Sequence, residues 1–178
     1  MKKLTFALFV ALGASLFVSC GPKVDTPENL GKSLLEAMIS QDQQAYADLF
    51  ITQEEMNALF EEAGKIQMDE AMKSRFEQYK KGMQDRFNQQ TIQASFDEAN
   101  EDAKKASLNW ENVEFVSAES GDGSNEFNIN LIGGMVQFKP EKSTESNSNF
   151  YLRFYAVQIG DEWKIIRMSG LKIKKDKK

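Results

Sequence analysis
The sequence predicts an α+β domain: N-terminal helices packed on a curved antiparallel sheet of about four to five strands. Two observations carry this. From Leu30 to Ser107 apolar residues recur every three or four positions, which is the period of a helix face. After Ser107 they alternate with polar residues, which is the period of a half-buried strand. Helices therefore come first and strands after, without the interleaving of a parallel sheet.

The chain opens on MKKLTFALFVALGASLFVSC. Lys2 and Lys3 make a positive start, and Leu4 to Val18 form an uncharged, mostly apolar run. Such a run is short for a bilayer span but suits a secretory signal. Residues 21–29 contain Pro22 and Pro27 and read as a tether. The expected organisation is a signal peptide over 1–19, a tether over 20–29, one domain over 30–173 and a basic tail over 174–178. Removing the signal leaves 159 of the 178 residues, enough for one domain with a real core.

Leu30, Leu34, Ala37 and Met38 share one helix face. Asp42 is placed to cap a second helix with Ala45, Tyr46, Leu49 and Phe50 inward. Thr52-Gln53-Glu54-Glu55 is a capping box that opens a third, with Met56, Leu59 and Phe60 inward and Gly64 at its end. Met68, Met72, Phe76, Tyr79, Met83 and Phe87 then form an amphipathic stripe. It reads as a buried face, or as an adaptable binding surface. Residues 91–96, TIQASF, break the helix or form a brief strand, so 61–107 is either one long helix or a broken hairpin. Asp97 to Ser107 is helical again, with Ala99, Ala103 and Ala106 as a small-residue face.

The strands follow. Val113 and Phe115 alternate with polar neighbours, as do Phe127, Ile129 and Leu131. Gly133-Gly134 reads as a turn, with Val136 and Phe138 on the return. Residues 141–149 are a polar loop, and 150–159, FYLRFYAVQI, are the strongest strand. Gly160-Asp161 turns the chain, and Trp163 to Ile173 pairs back.

Composition limits the chemistry. The chain has no histidine and one cysteine. Ser-His-Asp and Cys-His nucleophile systems are thereby removed, and so are zinc sites of the usual type. The EF-hand pattern is absent, and Asp122 between Gly121 and Gly123 reads as a turn. No phosphate-cradling glycine loop is visible. No catalytic, metal-binding or cofactor-binding residue is therefore assigned. Without the signal lysines the chain carries 20 basic and 27 acidic residues, a net charge of −7, which argues against nucleic acid as a partner. The tail KIKKDKK holds five lysines and reads as a solvated end, or as a patch toward anionic lipid.

Strand 150–159 offers a candidate surface. Phe150, Leu152, Phe154 and Ala156 point toward the helices, while Tyr151, Arg153 and Tyr155 share the other face. Tyrosine and arginine are enriched in interface hot spots, so these three are the candidate contact residues. The alternative is a solvated face with Arg153 paired to a glutamate on a neighbouring strand.

Two resemblances add to this reading. Phe17-Val18-Ser19-Cys20 resembles the lipobox of bacterial lipoproteins, with Phe17 where that motif usually has Leu, Val or Ile. The resemblance implies cleavage before Cys20 and a lipid on Cys20 that tethers the chain to a membrane. Gly21 follows the cysteine, and no acidic cluster does. This implies the periplasmic face of the outer membrane. LGKSLLEAMISQDQQAYADLF and YAVQIGDEWKIIRMSGL together resemble NTF2-like, or cystatin-like, cone-shaped domains. That fold hosts isomerases, dehydratases, transport factors and binding modules, so function has to come from a site. The stretch from Phe60 to Ser107 exceeds what the family core needs and implies an extra helical insertion. No Asp or Tyr here matches a catalytic position of the family. The expected function is a lipid-anchored, non-catalytic binding or protein-interaction module of the envelope. Its partner would be a small apolar ligand or an envelope protein, with a homodimer open. The alternatives are an accessory, assembly or immunity-like protein, or a small enzyme using carboxylate and tyrosine acid–base chemistry.

Overall fold
A computed structural model of the chain describes residues 24–84, 87, 89–121, 123–141 and 148–175. The expected signal segment, Cys20, Asp122, most of the expected loop 141–149 and residues 176–178 lie outside the described residues. Helices α1 (Pro27–Ser40), α2 (Gln43–Asp48), α3 (Gln53–Ala63), α4 (Glu70–Gln84) and α5 (Gln89–Lys105) precede the strands. These are β1 (Val113–Ser120), β2 (Ser124–Glu126), β3 (Ile129–Pro140), β4 (Ser148–Ile159) and β5 (Glu162–Lys175). The protein is thus α+β, with an antiparallel sheet ordered β1-β3-β4-β5 and β2 also paired to β3.

The helix starts follow the sequence signals. Thr26 Oγ1 accepts from the Asn29 amide at 3.1 Å, and Pro27 opens α1, where a missing N–H costs nothing. Asp42 caps α2 through the Ala45 amide at 2.9 Å. The capping box of α3 is closed on both sides. Thr52 Oγ1 accepts from the Glu55 amide at 3.1 Å, and Glu55 Oε2 accepts from the Thr52 amide at 2.7 Å. Order begins earlier than the expected tether allows. Val24 is 6% exposed within the core, and its carbonyl accepts from the Trp163 amide at 2.9 Å.

Residues 91–96 are neither a break nor a strand; they lie inside α5. Ile92, Phe96, Ala99 and Ala103 form one face that packs into the main core, and the Tyr46 hydroxyl meets Ser95 Oγ at 2.8 Å. Tertiary packing here overrides the weak helix preference of Thr91 and Ile92. The stretch 61–107 is therefore not one long helix: it holds the end of α3, then α4 and α5, broken between them.

Gly133-Gly134 is not a turn. Both residues lie inside β3, paired with Tyr155 and Phe154 of β4. The turn sits earlier, at Phe127-Asn128, where φ is 56° and 60°. Two positive φ values in a two-residue hairpin loop match the twist of the flanking strands. Phe127 is therefore a turn residue, and β2 is a strand that the alternation missed.

The helices cover both faces of the sheet, not one. On the inner face, α1, α2 and α5 pack against Val136, Phe138, Leu152, Phe154 and Ala156. The outer face begins one residue along, at the Leu131–Val157 and Gly133–Tyr155 pairs. There α3 and α4 form a second cluster with Met56, Phe60, Phe76, Ile129 and Val157. Each fully buried large apolar side chain of these clusters contributes about 1.5–3 kcal/mol. What carries the chain across is an isolated parallel bridge, Phe50 to Ile165, at the edge of β5. The Ile51 amide donates to the Ile165 carbonyl at 2.9 Å, and the Ile165 amide to the Leu49 carbonyl at 2.8 Å.

Candidate binding groove on the outer sheet face
Helices α3 and α4 cover only one end of the outer face. Where they stop, an open groove of about 470 Å³ runs between them and the sheet. Met56 of α3 with Tyr79 and Met83 of α4 form one wall, and Leu131, Tyr155, Ile166 and Arg167 form the other. A shallower hollow of about 390 Å³ continues it past Met135, Arg153 and Lys172, with Glu119 on its far side. The two share Gly133 and Tyr155. Gly133 lies opposite Tyr155, whose side chain stands 50% exposed between the hollows.

A bulge in β5 builds the polar end. Tyr155 pairs with Arg167, but Ala156 pairs with Ile165, so Ile166 is skipped. Ile166 packs against the outer cluster and Arg167 emerges beside Tyr155 on the same face. Arg153, Arg167 and Lys172 are all exposed, and among the described residues none of them makes an ion pair or a side-chain hydrogen bond. Arg153 sits opposite Met135 rather than a glutamate.

Tyr79 is the unusual residue of the apolar wall. Its ring leans on Phe127 with centroids 5.8 Å apart, and its buried hydroxyl has no hydrogen-bond partner. Burial, with the nearby Glu126 carboxylate adding to it, pushes the hydroxyl pKa up to about 12. Tyr79 is therefore a neutral donor at ordinary pH.

Of the three contact residues expected on β4, Arg153 and Tyr155 are accessible and lie together. Tyr151 is not: it is 8% exposed. It sits on a central strand between Gln137 of β3 and Lys172 of β5, which flank it on the same face. Reasoning from sequence missed Arg167, because the bulge breaks the alternation that would have revealed it. It also missed Met56 and Ile166. Within the methionine stripe Phe76 is buried, while Tyr79 and Met83 line the groove.

Among the described residues no group of acidic side chains is placed to hold a metal ion. No described helix is long and apolar enough to cross a membrane. No family model, curated protein or solved structure matches this chain.

Proposed function
We propose that this chain is a lipid-anchored lipoprotein of the bacterial envelope, held through Cys20 at the periplasmic face of the outer membrane. Its domain is an NTF2-like cone with a helical insertion, and it works as a non-catalytic binding module. The lipobox-like end of the signal segment supports the anchor. The α1–α2 pair, the β4–β5 hairpin and the parallel bridge at Ile165 support the cone. One observation carries the binding role: an apolar groove at Tyr155 opens onto three cations that have no partner among the described residues. At the centre of the inner face Leu30, Leu34, Val136 and Leu152 are fully buried. The binding place of this reading lies on the outer sheet face, beside α3 and α4.

Native mass spectrometry of a chain beginning at Lys23 tests the binding role. Extra mass that is retained under native conditions and lost in Tyr155→Ala supports it. A clean apo mass, with envelope cross-links unchanged by Arg153→Ala and Tyr155→Ala, overturns it. The anchor has its own test, since incorporation of an alkyne-tagged fatty acid must vanish in Cys20→Ala.

A second reading, an accessory protein that works through protein contacts or a homodimer, rests on the β1 edge. Phe115 and Val116 there are 38% and 41% exposed on a strand with one unpaired side. Sedimentation of the same chain as a stable dimer would favour it.

A further inference from the structure
The groove combines apolar and cationic lining, and the combination names a ligand class. Met56, Met83, Leu131 and Ile166 present apolar surface to it. Arg167 lines the same groove, and Arg153 and Lys172 line the adjoining hollow. A wholly apolar ligand would leave the cations unused, and a wholly polar one would leave the walls unfilled. The whole chain carries a net charge of −5, yet these three cations gather on one face: Glu119 shares the hollow with Arg153 and Lys172, Glu98 shares a separate cavity with Arg167, and Glu126, near Tyr79, is already paired with Arg75. That arrangement complements an anion. The buried Tyr79 hydroxyl is a donor that lacks an acceptor in the same groove as Arg167. A guanidinium and a neutral phenol that line one groove can each donate to an oxygen of the same carboxylate. Met83 lines the same groove, and its flexible thioether can adapt to a ligand there. The groove volume lies in the lower part of the usual small-ligand range, about 300–1,000 Å³, which suits one alkyl chain rather than two.

Resting on the groove reading above, we propose that the occupant is a single-chain carboxylate amphiphile. Its carboxylate lies between Arg167 and Tyr79, and its tail lies along Met56, Met83, Leu131 and Ile166. Arg153 and Lys172 draw the anion to the mouth.

The test uses the chain beginning at Lys23, which keeps every residue of both buried clusters. Three probes share one twelve-carbon tail: dodecanoate, dodecyltrimethylammonium and dodecyl maltoside, each below its micellar concentration in a calorimetric titration. Dodecanoate is expected to bind one to one, with the cationic probe at least tenfold weaker. Arg167→Ala is expected to weaken dodecanoate about tenfold or more, and Arg167→Lys to restore part of that. Tyr79→Phe is expected to weaken it several-fold while raising the melting temperature, a split that a merely structural tyrosine would not give. Equal binding of all three probes overturns the proposal, as does dodecanoate binding indifferent to Arg167→Ala. If dodecanoate fails but a different co-purified mass is lost in Tyr155→Ala, the carboxylate assignment falls and the groove reading stands. If nothing binds in any form, both fall.

Discussion
Phe154 of β4 lies over Gly134 of β3 so closely that a Cβ at Gly134 would stand 2.2 Å from the ring's Cζ. The ring is 1% exposed within the main core. This contact is why a glycine occupies the middle of a long strand, a place that otherwise disfavours it.

Gly134→Ala should therefore cost about 1–3 kcal/mol through overpacking. Its neighbour is the control. A Cβ at Gly133 would meet Tyr155 Cε1 at 3.9 Å, an ordinary contact, so Gly133→Ala should stay within about 0.5 kcal/mol of wild type. Urea melts of the two variants check this, and equal midpoints would show that Phe154 has room after all.

The two buried tyrosines should respond to the same substitution with opposite signs. The Tyr46 hydroxyl is bonded to Ser95 Oγ, which itself donates to the Ile92 carbonyl at 2.7 Å. Tyr46→Phe breaks that chain between α2 and α5 and should cost about 1 kcal/mol. Tyr79→Phe removes a hydroxyl that has no partner and should gain about 1 kcal/mol. Thermal melts at neutral pH decide both, and a loss in Tyr79→Phe would mean that its hydroxyl is satisfied.

Both tyrosines also set an alkaline limit. Burial raises Tyr46 well above its ordinary 10.0 and Tyr79 to about 12. Between the unfolded and folded values the unfolded chain has lost protons that the native one keeps. Stability is thus undiminished below about pH 10 and falls as pH rises above it. Each Tyr→Phe variant should make that fall shallower. An unchanged slope in denaturant midpoints between pH 9 and 11.5 would sink the assignment.

Thr52→Ala should cost about 1 kcal/mol, since it opens the capping box of α3. Because α3 carries Met56 into the groove, the same variant should also weaken any groove ligand. A variant that melts like wild type would show that the bridge at Ile165 alone sets the start of α3.

The starts of α2 and α3 were legible because their signals are local. Asp42 and Thr52 each cap a helix within three residues of themselves. Thr26 does the same for α1, but it fell within the expected tether. The sheet was less legible where long-range contact decides. Nothing next to Gly133-Gly134 tells a turn from a close approach; only Phe154, twenty residues on, does. Phe127 accepts a positive φ that bulky side chains avoid. Its ring is held by Phe76 at 5.1 Å and by Tyr79. The candidate site was half legible for the same reason. Arg153 and Tyr155 follow from simple alternation. Tyr151 fails because flanking strands cover it, and Arg167 was hidden by a bulge.

The hydrogen bond from Trp163 to Val24 fixes where the chain joins β5. If Cys20 carries the proposed lipid, residues 20–23 alone separate it from that point, a reach of about 14 Å when fully extended. A domain so moored would patrol a thin layer against the bilayer, and whatever it met would be shed from, or delivered to, the membrane surface itself.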